Sequence, residues 1–266
     1  MKRHHIFAIL AFASLILTSK AAAGIIDVYA STSTDQTSFL AGVGGATTET
    51  FGTGGNSNLN SYTSTIGTFT SSGTFRIQGA DQYGGAGGTG RYFVFGAQSG
   101  SASPVTITLT GSEDYLGMWL SAADANNGIS FYNGTTLIGR FSSQSLLTLL
   151  GNTTVTAING TVYQSSSYFG NPNNRTQDSG EPFVYLDFVA VGTTFNKIVL
   201  DNSGSTATGF ESDNYTIYGS ATVVPGTDVF VVAVPETPLY GILLCCLAFG
   251  LVGGHRLVQR FKSRLV

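Results

Sequence analysis

Short runs in which apolar and polar residues alternate most strongly constrain the fold of this 266-residue chain. In residues 105–110, Val105, Ile107 and Leu109 alternate with threonines, which is the pattern of a strand with one buried face. Similar runs recur along the chain, separated by turns rich in glycine and asparagine. Two of these turns, Asn133-Gly134 and Asn159-Gly160, predict tight hairpins. The sequence therefore predicts an all-β domain folded as a jelly-roll-like β-sandwich.

One segment departs from the strand pattern and predicts a short helix. Ser142 and Ser143 are suited to cap its first turn, a leucine-rich run supplies its apolar face, and Gly151 is suited to end it. Aromatic residues make up 12% of the chain. Because so many aromatic side chains require burial, the Gly- and Ser-rich composition indicates a folded, turn-rich domain rather than disorder.

The first 23 residues have the three parts of a secretory signal peptide. Lys2 and Arg3 give a positive start, residues 6–17 are apolar, and the alanines at 21–23 supply a cleavage site after Ala23. An uncleaved anchor is the alternative, but the apolar run is shorter than the ~20 residues that a membrane span needs. The pattern predicts export through the Sec translocon, removal of residues 1–23 by signal peptidase, and a β ectodomain at residues 24–232.

The other end, residues 233–266, also reads as a targeting segment. A polar break at 234–238 precedes an apolar stretch at 239–254, which we expect to cross the inner membrane as a helix. A basic tail follows at 255–266, and positive charge after a span indicates a cytoplasmic C-terminus. The residues of the break are Val234, Pro235, Glu236, Thr237 and Pro238, and those of the basic membrane stop are Arg256, Arg260, Lys262 and Arg264.

This tail resembles the PEP-CTERM sorting signal of bacteria that make extracellular polysaccharide. Thr237 stands where that motif usually has its second proline. Residues 168–172, 182–186 and 209–214 also resemble a group of exosortase-dependent surface proteins. The resemblance implies processing by an exosortase, tethering in the inner membrane before processing, and a final location at the cell surface or outside the cell. The group has no well-defined activity, and the resemblance supports a sandwich fold. Our first hypothesis for the role is a non-enzymatic surface or matrix protein that associates with exopolysaccharide.

Two other interpretations of the tail remain open. The segment also resembles a sortase signal, but Pro238 would occupy the glycine position and would remove the amide N–H of the scissile bond. A plain transmembrane anchor that is never processed is the second alternative. The exosortase interpretation is preferred over the sortase one because Pro238 would make a poor scissile bond.

The composition of the ectodomain excludes several kinds of chemistry. Acidic residues outnumber basic ones between residues 24 and 234, so nucleic-acid binding is not expected. Both cysteines lie in the apolar tail, and the three histidines lie at positions 4, 5 and 255. A Ser-His-Asp triad and Cys- or His-ligated zinc are therefore excluded from the ectodomain. The glycine-rich residues 85–90 precede a predicted strand rather than a helix, so we expect a loop and not a dinucleotide site.

Two kinds of site are consistent with what remains. A structural Ca²⁺ could join an early strand to the last one through the carboxylates of Glu49, Glu211 and Asp213. Exposed aromatic residues could instead stack on sugar rings, and the candidates are Trp119, Tyr132 and Tyr168. The alternatives to a non-enzymatic matrix protein are therefore a carbohydrate-binding module with a defined glycan and a carboxylate-dependent glycosidase. Carboxylates available for the glycosidase are Glu113, Asp114, Glu181, Asp187, Glu211 and Asp213.

Overall fold

The computed structural model describes residues 25–53, 55–174, 176–219 and, for the backbone alone, 230–232. The predicted signal peptide and the predicted sorting tail both lie outside these residues. In the described part of the chain, no helix is long and apolar enough to span a membrane. The predicted span at 239–254 is outside that part, so it stays a prediction.

The described chain is built almost entirely from strands. Two 3₁₀ turns, at Ala86–Gly88 and Ser165–Tyr168, and one α-helix interrupt them. In chain order the elements are β1 (Ile25–Ala30), β2 (Thr47–Glu49), β3 (Leu59–Thr63), β4 (Gly67–Gly79), β5 (Arg91–Gly96), β6 (Val105–Glu113), β7 (Tyr115–Ser121), β8 (Gly128–Asn133), β9 (Thr136–Ser142), α1 (Ser143–Leu150), β10 (Thr154–Thr156), β11 (Val162–Gln164), β12 (Val184–Val191), β13 (Phe195–Asp201), β14 (Gly209–Tyr218) and β15 (Phe230–Val232).

The prediction of an all-β domain is confirmed, but the strands do not divide into two separate large sheets. Thirteen strands form one continuous antiparallel sheet, and β10 pairs only with β11. The order across the large sheet is β15, β1, β12, β7, β14, β5, β4, β6, β13, β8 and β9, with β2 attached to β14 and β3 to β4. The large sheet curls around the main core.

The sheet nearly closes on itself because its two ends meet. Strand β9 at one end approaches β1 near the other. Gly139 on β9 makes this approach possible, since a β-carbon there would lie 2.6 Å from Cγ1 of Ile26. Burial of the apolar side chains inside the curled sheet supplies the main driving force for the fold.

The alternation seen in the sequence sets which side chains enter the core. On β6, Val105, Ile107 and Leu109 are buried, and the threonines between them are partly or fully exposed. Strand β7 differs because every one of its residues is buried. Leu116, Met118 and Leu120 belong to the main core, whereas Trp119 packs on the opposite face, in a smaller cluster covered by loops.

The local predictions about turns and the helix are confirmed. Strands β8 and β9 pair across Asn133-Gly134, and β10 and β11 pair across Asn159-Gly160. The side chain of Ser142 accepts a hydrogen bond from the backbone N–H of Gln144 and so caps α1. The glycine-rich residues 85–90 form a loop that leads into β5, as expected.

The last described strand brings the end of the described chain beside its beginning. Val232 of β15 pairs with Ile26 of β1, and the first residue of β1, Ile25, pairs with Val191 at the end of β12. Residue 232 therefore lies at the same end of the sheet as the last residue of β12. Because β12 contains 8 residues, its start lies about 25 Å away from this point.

Candidate functional site

A pocket lies at the opposite end of the sheet, where four neighbouring strands begin or end. Because these strands are antiparallel, the ends of β5 and β7 meet the starts of β12 and β14. The cavity has a volume of about 240 Å³. We call it the acidic pocket, and its polar lining consists of Tyr83, Gln98, Asp124, Glu181, Thr208 and Glu211.

Glu211 is the most deeply buried carboxylate of the acidic pocket. Only 3% of its surface is exposed, and Oε1 accepts a hydrogen bond of 3.1 Å from Nε2 of Gln98. Its position depends on Gly209, two residues earlier on β14, because a β-carbon at residue 209 would overlap the carboxylate. The backbone of β14 thus places a buried acid at the base of the pocket.

Burial raises the pKa of all three carboxylates of the acidic pocket, and neighbouring negative charges raise it further for Glu181 and Glu211. Burial, followed by the charges of Asp124 and Asp178, raises the pKa of Glu181 to about 7. Burial and then the charges of Asp124, Glu181 and Asp81 raise the pKa of Glu211 well above its ordinary value. Burial also raises the pKa of Asp124, although a backbone hydrogen bond at Gly209 acts in the opposite direction. The pocket therefore favours protons or other cations.

The basic residues of the described chain lie elsewhere. The acidic pocket has no arginine or lysine in its described lining. Arg140 forms an ion pair with Asp201 at 3.1 Å, and Nζ of Lys197 lies 4.4 Å from the centre of the Tyr132 ring. The other two described arginines and their amide partners are Arg76 with Asn58 and Arg91 with Asn56.

The predicted calcium ligands do not assemble into one site. The strand that carries Glu49 does lie beside β14, as the prediction required, but Glu49 sits opposite Tyr215. Its carboxylate accepts hydrogen bonds from the backbone N–H groups of Phe51 (2.6 Å) and Thr65 (2.9 Å). Glu49 is therefore already occupied in holding two loop segments to the sheet.

Asp213 is also bound to backbone groups. Its Oδ2 accepts a hydrogen bond of 2.8 Å from the N–H of Ala86, and its Oδ1 accepts one of 2.7 Å from the N–H of Asn214. Burial raises its pKa to about 7. Of the three predicted ligands only Glu211 lines the acidic pocket. Among all described residues, no three acidic, histidine or cysteine side chains are placed to hold a metal ion.

Two of the three predicted stacking residues are buried, which corrects that prediction. Trp119 is 1% exposed and packs against Phe183, with ring centres 5.9 Å apart. Tyr168 is completely buried, and its hydroxyl donates to the carbonyl of Ser31. The ring of Trp119 lies in the smaller cluster that loops cover, whereas the ring of Tyr168 packs in the main core. Tyr132 is partly exposed, but Lys197 lies over its ring.

Another buried acid lies outside the acidic pocket and holds a loop onto the sheet face opposite the main core. Asp187 on β12 is completely buried, and its carboxylate accepts hydrogen bonds from the hydroxyls of Ser31 (2.7 Å) and Tyr115 (2.6 Å). Tyr115 and Ser38 share a further hydrogen bond of 2.6 Å. This network anchors the segment that follows β1. Burial raises the pKa of Asp187 to about 7, although the hydrogen bonds from Ser31 and Tyr115 act in the opposite direction.

Sequence reasoning found only part of the acidic pocket. It identified Glu211 as a candidate ligand and Glu181 as an available carboxylate, but it did not single out Asp124 or Gln98. Both lie just after a strand, Gln98 after β5 and Asp124 after β7. Polar residues that follow strands were the available signal, but the strand order that brings them together is not written in any local pattern.

Comparison with known proteins supplies no relative for this chain. No family model matches it, and no curated protein or solved structure matches it either. Any function assigned to the ectodomain therefore depends on the acidic pocket and on the sequence signals at the two ends.

Proposed function

We propose that this chain is an exported, exosortase-sorted protein of the cell surface or extracellular matrix, and that its ectodomain binds exopolysaccharide without catalysing a reaction. One observation carries the binding proposal: the acidic pocket combines three carboxylates, an amide and an aromatic ring in one small cavity. The sequence features of residues 1–23 and 233–266 carry the proposal of export and sorting.

The groups of the acidic pocket suit a sugar. The carboxylates can accept hydrogen bonds from sugar hydroxyls, and the Gln98 amide can both accept and donate them. The ring of Tyr83 offers an apolar face. The volume of about 240 Å³ lies below the ~300 Å³ at which pockets for drug-sized molecules begin. A single sugar unit, at a chain end or on a branch, is therefore the expected occupant.

The position of the pocket agrees with a membrane-tethered precursor. The acidic pocket opens at the start of β12. Residue 232 lies level with the other end of β12, about 25 Å from the pocket. A tail that continues from residue 232 into a membrane would leave the pocket on the distal side of the ectodomain. Long extracellular polymers could then reach it before and after processing.

Mass spectrometry of the native surface form tests export and sorting. We expect a mature N-terminus at Gly24 and a C-terminus within residues 234–238. A surface form that retains residues 239–266 would contradict processing by exosortase. Binding is tested separately with exopolysaccharide purified from the bacterium that makes the protein, and absence of binding to the full-length chain would contradict the proposed ligand.

A second candidate function is glycoside hydrolysis, because Glu181 has a raised pKa of about 7 beside two other carboxylates. A carboxylic acid that keeps its proton near neutral pH can protonate a leaving-group oxygen, while a second carboxylate acts on the other face of the sugar. Release of reducing ends from the purified polysaccharide, absent in Glu181→Gln, would favour this function over simple binding.

A further inference from the structure

We infer that the sugar unit bound by the acidic pocket carries a free primary amine, so that the ligand is a cationic amino sugar rather than a neutral one. This inference rests on the proposed function and narrows its substrate class.

The charges around the acidic pocket favour a cationic ligand. Three carboxylates line the pocket, Asp81 and Asp178 act on them from nearby, and no described basic side chain faces them. A neutral sugar would leave these acids to offset their mutual repulsion by holding protons. An ammonium group would instead offset it, and in a partly buried site such an ion pair is screened less by salt than one at the surface.

Unused hydrogen-bond acceptors inside the protein favour a ligand that donates hydrogen bonds. Glu211 is 97% buried, and the described residues give it a single hydrogen bond, at Oε1. Oε2 of Glu181 is buried and has no hydrogen-bond partner among the described residues. Buried polar atoms are normally hydrogen-bonded, so the unpaired Oε2 of Glu181 beside this cavity points to a donor that the described residues do not supply.

An ammonium group matches these acceptors better than a bare metal ion does. It has three N–H donors and no acceptor, which suits a lining of acceptors. A divalent metal would need several oxygens converging on one point, and the described acids are not arranged in that way. The ring of Tyr83 adds a face on which a sugar or its cationic group can rest.

The test compares a fully deacetylated glucosamine oligosaccharide with its N-acetylated counterpart. Both are titrated into the full-length chain, held in a detergent without a sugar headgroup, and binding is followed by calorimetry. We expect the deacetylated sugar to bind at least about tenfold more tightly, and Glu211→Gln and Glu181→Gln to remove about tenfold of that affinity. Glu113→Gln, outside the pocket lining, is the matched control and should bind like the wild type.

Two measurements on the wild type keep the test independent of variant folding. Binding of the amine should weaken as salt is raised, because the attraction is ionic. It should also release protons near neutral pH, because a cation favours the ionised carboxylates, and buffers of different ionisation enthalpy reveal this release.

The outcomes separate the inference from the proposed function. Equal binding of both sugars would overturn the amine requirement but leave polysaccharide binding in place. Binding of CaCl₂ alone, in competition with the amine, would assign the pocket to a metal and overturn the inference. If neither sugar nor the native polysaccharide binds, the proposed function itself fails.

Discussion

The carboxylate of Glu211 lies over Gly209, in space that the β-carbon of any other residue at position 209 would occupy. The two residues are on the same strand and on the same side of it, because side chains two residues apart share a face. A glycine at the start of β14 is thus a requirement of the acidic pocket and not only of the strand.

Replacing this glycine should therefore disturb the pocket. We expect Gly209→Ala to push Glu211 aside, to weaken polysaccharide binding by about tenfold or more, and to destabilise the fold by about 1–3 kcal/mol through overpacking. Gly79→Ala is the matched control, since a β-carbon at position 79 meets nothing within 4 Å. Chemical denaturation and binding isotherms of both variants check the prediction, and equal behaviour of the two would contradict it.

The closure of the sheet depends on a second close approach, between Gly139 and Ile26. We expect Gly139→Ala to destabilise the ectodomain by about 1–3 kcal/mol, because the new methyl group would collide with Ile26. Removing the colliding γ-carbon in the double variant Gly139→Ala/Ile26→Ala should recover part of this loss relative to Ile26→Ala alone. A double-mutant cycle measured by urea denaturation gives the coupling energy. Strictly additive effects would show that the strands do not meet at these residues.

Stability should fall as the pH rises, because buried acids hold protons in the folded state. The pKa of Asp187 is raised from 3.8 to about 7, so its contribution to stability is complete below about pH 4 and is lost as the pH rises through 7. Asp213 and Glu181, with pKa values raised to about 7, act in the same direction.

The variant Asp187→Asn isolates one of these groups. It cannot ionise, so we expect the free energy of unfolding to fall less between pH 5 and pH 8 than in the wild type. The upper limit of the difference is about 1.4 kcal/mol for each pH unit over which the wild-type group titrates. Urea denaturation at several pH values provides the measurement, and an unchanged pH dependence would contradict the assignment to Asp187.

Glu49 should act as a structural link and not as a calcium ligand. The variant Glu49→Gln keeps one acceptor oxygen for two backbone N–H groups, those of Phe51 and Thr65, so one of them loses its partner. A lost buried hydrogen bond of this kind costs about 1–3 kcal/mol. Thermal unfolding of wild type and variant, each with and without calcium, checks the prediction. Stabilisation of the wild type by calcium that disappears in the variant would restore the metal interpretation.

Local patterns predicted the local structure well. The alternation at Val105, Ile107 and Leu109, the Asn133-Gly134 turn and the Ser142 cap all lie within a few residues of the features they determine, so the sequence carries them directly. That the strands form one curled sheet depends on pairings between distant segments, such as β1 with β12. Short-range periodicity contains no information about those pairings.

The same distinction explains the candidate site. Glu211 was recognisable as a carboxylate near the last strand of the ectodomain, but the other two acids of the pocket come from loops far apart in the chain. Trp119 alternates with the core residues of β7 and lies on the other face of the strand, as that alternation requires. Whether a loop covers that face could not be read from the strand itself.

The affinity of the full-length chain for the purified native exopolysaccharide, compared between wild type and Glu211→Gln, tests the central claim most directly. The change keeps the size of the side chain, replaces one acceptor oxygen with an NH₂ donor and removes the charge at the base of the acidic pocket. We expect saturable binding by the wild type and a dissociation constant about tenfold higher in the variant. Equal affinities in two equally stable proteins would show that the polysaccharide does not occupy the pocket.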